Sequence, residues 1–190
     1  MTMKVKTSTG WEDWAAAGPS PGTHDLEPMD LSSGSAGSGA AITNVGDGIW
    51  EHVALSWSGN SLAYAFSRMG NITTIPEIDT SGVTNMSYMF SYCTSLVTVP
   101  ALNMSAVTST SSANILGTST KPNLTSFLAY GSRYGFSLNT APALDAAALN
   151  TVFTNLGTPV GAQTITITGC AGAATCDRSI ATNKGWTVSG

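Results

Sequence analysis

Between residues 61 and 108 one pattern is written twice, and nothing else in the chain constrains its fold as much. Leu62-Ala63-Tyr64-Ala65-Phe66-Ser67-Arg68-Met69 aligns with Met86-Ser87-Tyr88-Met89-Phe90-Ser91-Tyr92-Cys93. Ile72-Thr73-Thr74-Ile75-Pro76-Glu77-Ile78-Asp79 then aligns with Leu96-Val97-Thr98-Val99-Pro100-Ala101-Leu102-Asn103, and both pairs share the offset of 24 (96 − 72). A unit this short cannot bury its apolar side alone, so a fixed period implies stacked units sharing one interior, a solenoid.

A period of roughly 20 to 29 residues with Leu or Ile at set places is that of a leucine-rich-repeat solenoid. Leu62, Ala65, Phe66 and Met69 stand at i, i+3, i+4 and i+7, as do Met86, Met89, Phe90 and Cys93, which predicts a short amphipathic helix at the start of each unit. Leu96 to Val99 is β-branched and ended by Pro100, which predicts one strand per unit in a parallel sheet. Asp79-Thr80-Ser81-Gly82 and Asn103-Met104-Ser105-Ala106 are expected to turn the chain back by bonding their own backbone. The expected fold class is therefore α/β: a short leucine-rich-repeat solenoid with short helices opposite the sheet and an extended N-terminal segment.

The pattern weakens afterwards. Asn123-Leu124-Thr125-Ser126-Phe127 resembles a third strand start, but its offset of 28 (124 − 96) leaves four extra residues and predicts an irregular turn over 108–120. Leu149, Val152, Phe153 and Leu156 form a helical stripe with Asp145 as N-cap and Gly157 as C′ residue. Gln163 to Thr168 alternates Ile with Thr and reads as a half-buried strand; 177–184 reads as a short helix stopped by Gly185, and 186–189 as a last strand. These are expected to extend the parallel sheet and close its end. The resulting division is an extended attachment segment over 1–31, a Gly/Ser linker over 32–40, a repeat body over 41–157 and a capping unit over 158–190.

Upstream, Lys4 to Thr7 is a candidate strand and Trp50 to Trp57 another. Pro19, Pro21 and Pro28 predict extended chain over 18–30. Trp11 and Trp14 either pack on the solenoid or anchor the chain to a partner, since rigid aromatics are favoured interface anchors.

Composition narrows the role. Charged residues are 9% of the 190, apolar residues 42% and aromatics 8%, so the chain has a core's worth of apolar side chains and a surface supplied by Ser and Thr. A net charge of −4 with no Lys/Arg cluster argues against nucleic acid. Residues 1–11 lack the apolar core of a secretory signal, and no run of about 18 apolar residues predicts a membrane span. A Thr/Ser/Gly-rich, charge-poor surface resembles that of proteins working outside cells, and without an export signal, assembly into a virus particle released by lysis would supply a way out. A non-classical export route or a trimmed chain also fits, although the initiating Met argues against trimming.

Chemistry-bearing constellations are weak. Cys93 takes the place of Met69 and is expected to be a small buried residue. The spacing of Cys170 and Cys176 permits a small loop without establishing a disulfide, and His24 and His52 add too few ligands for zinc. His52 with Asp47 lacks the geometry of a nucleophilic set. Glu77 and Asp79 are the best carboxylate pair for glycan hydrolysis, but the next unit replaces them with Ala101 and Asn103, so a turn acid is the simpler reading. No enzyme activity, cofactor or metal is expected.

Residues 71–96, running from Asn71-Ile72-Thr73-Thr74-Ile75-Pro76 through Asn85-Met86-Ser87-Tyr88-Met89-Phe90 to Ser95-Leu96, resemble the BspA-like leucine-rich repeats of bacterial surface proteins and bacteriophage tail proteins. Leu149-Asn150-Thr151-Val152-Phe153, Gln163-Thr164-Ile165-Thr166-Ile167-Thr168-Gly169 and Ala181-Thr182-Asn183-Lys184-Gly185-Trp186-Thr187-Val188 resemble the terminus of minor tail proteins in phages of actinobacteria. The array is short and its third unit broken. The resemblance implies a structural protein of the virion at the tail tip, exposed outside the cell after lysis. Its expected partners are other tail proteins, through residues 1–31, and a host wall glycan or protein, with self-association in the particle also open. A capsid decoration protein and a bacterial surface adhesin are the alternatives. Trp11, Trp14, Thr74, Thr98, Tyr88 and Tyr92 are the candidate partner-binding residues, with Thr73 and Val97 beside the threonines.

Overall fold

The computed structural model describes residues 60–75, 77–108 and 114–190 in full, and the backbone of 4–7, 10–13, 29–30 and 55–56. The chain is mixed α/β, with short helices and small parallel sheets. Near the amino terminus β1 (Lys4–Thr7) and β2 (Gly10–Asp13) form an antiparallel pair, with Lys6 opposite Trp11. The short strands β3 (Met29–Asp30) and β4 (Leu55–Ser56) pair in parallel. The strand expected at 4–7 is thus present; of the strand expected over 50–57 only 55–56 is described, and the rest of the extended segment and the linker fall outside the described residues.

The backbone of 62–68 is paired with that of 85–91. The amides of Leu62, Tyr64, Phe66 and Arg68 donate to the carbonyls of Asn85, Ser87, Met89 and Ser91 at 2.9, 3.0, 3.0 and 2.7 Å. Between them, Ala65, Ser67 and Met69 donate three residues back, to Leu62, Tyr64 and Phe66. Residues 63–68 and 87–92 are therefore strings of tight turns, and the expected helices are absent. The physical reason lies in the donors. An isolated helix of eight residues is marginal, whereas this arrangement sends every second amide across to a neighbouring segment and still turns Leu62, Ala65, Phe66 and Met69 inward, all fully or almost fully buried. The same apolar spacing serves either conformation, so periodicity alone does not separate them. Phe66 lies on Phe90 with ring centroids 5.8 Å apart and planes within 7°.

The segments after these turns also run side by side. The amides of Val97 and Thr98 both donate to the Thr73 carbonyl, at 2.8 and 3.0 Å, and those of Thr125 and Ser126 donate to Val97. Only the second and third are regular enough to be strands. β5 (Thr98–Asn103) pairs in parallel with β6 (Ser126–Tyr130), and the register slips between Val99 and Leu102. The expectation that Pro100 ends the strand is corrected: the strand continues through it because the slip places the proline, which has no amide to donate, at an irregularity. The four additional residues before Leu124 do not disturb this pairing. Asp79 and Asn103 turn the chain as expected, each accepting from the amide two residues on, Ser81 and Ser105, at 3.0 Å.

The C-terminal third contains β7 (Phe136–Ser137), α1 (Ala146–Asn155), β8 (Gln163–Thr166), α2 (Ser179–Thr182) and β9 (Trp186–Ser189). β7, β8 and β9 form a three-stranded parallel sheet separate from β5–β6 and from β3–β4, so the single continuous sheet expected from the sequence is corrected to small separate ones. Asp145 caps α1, its carboxylate accepting from the Ala148 amide at 2.8 Å, and α1 buries Leu149, Val152 and Phe153. The helix ends on Leu156 in extended conformation rather than on a left-handed Gly157. Gly157 is needed for space instead, since a Cβ there would stand 2.8 Å from the Gly131 carbonyl oxygen. Lys184 closes the helix, its ammonium donating to the carbonyls of Phe153, Thr154 and Leu156, where the unpaired carbonyls of a helix end attract a cation. One apolar core runs from Leu62 to Trp186 without a break. Among the described residues no helix is long and apolar enough to cross a membrane.

Candidate functional site

Four side chains emerge from the turn strings at backbone positions that disfavour them. Tyr64 (φ 61°), Arg68 (φ 68°), Tyr88 (φ 55°) and Tyr92 (φ 62°) are the described non-glycine residues with positive φ. A left-handed residue with a Cβ costs roughly 1 to 2 kcal/mol, and the residues usually found there are Gly, Asn and Asp. The following turn uses Gly117 (φ 70°), and a Cβ at that glycine would meet Ser91 within 3 Å. The left-handed turn is therefore compatible with glycine, and the two preceding segments carry large side chains at such positions at some cost.

These four residues form one edge, two positions wide and two segments deep, with Tyr64, Arg68 and Tyr92 exposed and Tyr88 half-buried. Tyr64 and Tyr88 are stacked with centroids 5.1 Å apart and planes within 9°. The Arg68 amide bonds the Ser91 carbonyl, which sets Arg68 in register with Tyr92. Tyr64 and Tyr92 are 44% and 53% exposed, a large fraction for aromatic side chains anchored in a tightly bonded backbone. The Asn114 amide donates to the Tyr88 hydroxyl at 3.4 Å, and the Ser119 hydroxyl accepts from the Tyr92 amide at 2.7 Å.

The other expected contact residues are dispersed. Thr74 and Thr98 are half-buried on the segment after the turns; Thr98 opens β5 and pairs with Ser126, and Thr74 donates to the Ile75 carbonyl at 3.3 Å. Thr73 is exposed and Val97 half-buried. The tyrosines are instead brought against each other. Trp11 stands in β2, described by its backbone alone, while Trp14, His24, Asp47 and His52 lie outside the described residues. Asp79 uses its carboxylate to form a turn, and Glu77 is exposed beside it. Among the described residues no group of three or more His, Cys, Asp or Glu side chains is placed to hold a metal ion. Sequence reading did not select Tyr64 and Arg68, although the offset of 24 places them over Tyr88 and Tyr92; the missing signal was the sign of φ.

The interior holds a cation that the sequence reading also missed. Met69, Cys93 and Lys121 occupy one position in successive segments, since each carbonyl accepts from the amide three residues on: Ile72, Leu96 and Leu124. Lys121 is completely buried, and its ammonium donates to the Ser119 carbonyl and hydroxyl at 2.7 and 3.2 Å. Burial pulls its pKa from 10.5 down to about 8, with the Cys93 thiol opposing the shift. Cys93 donates to the Phe66 carbonyl at 2.9 Å, and burial pushes its thiol up to about 12 against the pull of Lys121. Burial, then the neighbouring Cys176, raises Cys170 to about 11. All three cysteines are free thiols. A thiol held protonated is a poor nucleophile, so Cys93 is a packing residue, as expected from the sequence.

Compared with protein-family models, with curated proteins and with solved structures, the chain matches none.

Proposed function

We propose that the chain is a bacteriophage virion protein, a minor tail protein at the tail tip, built as a short BspA-like leucine-rich-repeat solenoid and working by contact rather than by catalysis. The observation that carries the reading is the in-register stacking of 62–69 on 86–93, with Phe66 on Phe90 inside and Tyr64 on Tyr88 outside. A stacked coil of this kind presents one side chain per unit in a column, which suits repeated contact with a neighbouring subunit or a host surface. The resemblance of 71–96 to repeats of phage tail and bacterial surface proteins supplies the virion context, and residues 1–31 are assigned to attachment. Fold by itself does not assign a role, so the edge bearing Tyr64, Arg68, Tyr88 and Tyr92 is the contact element in this reading.

The test is immunogold electron microscopy of purified particles, using antibody raised against this chain. Label at the tail tip is the expected result. Label over the capsid would replace the tail reading with a decoration protein, and particles without label would remove the virion assignment. Deleting residues 1–31 should leave a soluble folded body that no longer joins the particle.

A further inference from the structure

We infer that the edge formed by Tyr64, Arg68, Tyr88 and Tyr92 is a binding site for an acidic glycan, a chain of sugar rings carrying carboxylate or phosphate. This deepens the proposed contact role and rests on it for its biological setting. The first support is the backbone: four bulky side chains hold left-handed positions, and Gly117 adopts the same φ sign in the next turn. The pairing imposes the left-handed backbone, but not the bulky residues that occupy it, and keeping them at that cost points to a use for the side chains. The second is chemistry. Tyrosines offer an amphipathic ring with a hydroxyl that donates and accepts, and Arg68 is the sole charged residue in 62–69 and 86–93. A guanidinium with no carboxylate in either segment favours an anionic ligand, and its planar fork matches carboxylate and phosphate oxygens.

The third is size. A stable protein interface buries about 1,200 to 2,000 Å² around an apolar centre. This edge is two side chains wide, and the residues between them along each segment, 65–67 and 89–91, are buried and add no further surface to it. A narrow strip of phenols and one guanidinium fits a polysaccharide chain lying along it better than a protein surface.

The experiment applies the full-length purified chain to an array of bacterial wall polysaccharides in three classes: uronate-bearing, phosphate-bearing and neutral. Binding to one or both acidic classes is expected, the array separating carboxylate from phosphate. Arg68→Gly and Tyr92→Gly should each weaken it at least tenfold while the melting temperature stays equal or rises, because glycine relieves the left-handed backbone. Binding confined to neutral glycans, no binding to any class, or binding unchanged in both variants would overturn the inference, the last pointing to another surface. Because the isolated chain is assayed, glycan binding without tail label would retain this site and discard the tail reading, and tail label without glycan binding would do the reverse.

Discussion

Replacing Lys121 with Met should stabilise the fold, and by an amount that depends on pH in a calculable way. Lys121 occupies the place that Met69 takes two segments earlier, is completely buried, and has a pKa lowered from 10.5 to about 8. Such a drop corresponds to at most about 3.4 kcal/mol of cost for the charged form. The substitution also removes two bonds to Ser119 and leaves its carbonyl without that donor, worth about 1 kcal/mol in the other direction. The net expectation at pH 7 is a gain of roughly 2 kcal/mol. Between pH 8 and 10.5 the unfolded lysine keeps its proton while the folded one releases it, so wild-type stability from this group rises with pH. The gap between variant and wild type should therefore narrow by about 1.3 kcal/mol between pH 7 and pH 9. Cys93 and Cys170 act in the opposite sense: held at about 12 and 11, they keep protons that unfolded thiols lose from about pH 9, which lowers stability as pH rises. That contribution is common to both proteins and largely cancels in the difference. Urea denaturation of both at pH 7 and pH 9 is the assay. A variant less stable than wild type at pH 7, or a gap that does not change with pH, would refute the placement of a charged amine in this core.

Other consequences are accessible to the same measurements. Phe66→Ala and Phe90→Ala should each cost about 3 to 5 kcal/mol, and a double-mutant cycle should show coupling of about 0.5 to 1.5 kcal/mol if the rings are stacked; additive losses would contradict the stacking. Lys184→Met removes the donor to three carbonyls at the end of α1 and should lower stability by about 1 to 2 kcal/mol in urea. Gly172→Ala would put a Cβ 2.2 Å from the Ala146 amide nitrogen, so a loss of at least about 2 kcal/mol is expected from overpacking. In native labelling with iodoacetamide near pH 8, half-buried Cys176 should react while Cys93 and Cys170, both buried with raised pKa values, resist; rapid labelling of Cys93 would show that the interior opens.

Much of the C-terminal third could be read from residue order. Asp145 caps α1, Gln163–Thr166 is a strand that buries Ile165 beside exposed Thr164, and Trp186–Ser189 is a strand, because caps and period-2 patterns are local signals. The segments at 62–69 and 86–93 were legible in what they bury and illegible in how they turn. Apolar residues at i, i+3, i+4 and i+7 satisfy a helix, yet the available partners were the carbonyls of another segment, and pairing with them left Tyr64, Arg68, Tyr88 and Tyr92 left-handed. The candidate site was therefore half visible: Tyr88 and Tyr92 were selected, while Tyr64 and Arg68 required the register and the backbone sign. Lys121 was hidden because an offset of 28 instead of 24 moved it out of alignment with Cys93.

The residue order by itself determines that two apolar units of equal length recur, that Phe66 and Phe90 are equivalent, and that Asp79 and Asn103 end their units, since each follows from spacing and side-chain chemistry. Tertiary contact alone decided the rest. Cross-segment hydrogen bonds replaced helices with turns, a register slip carried β5 through Pro100, and the parallel sheet broke into small separate ones. The physical reason is that a backbone amide is indifferent to whether its acceptor lies four residues back or one unit further along the chain. Which acceptor it takes depends on the packing of the whole core, and that choice is not written in any one stretch of the chain.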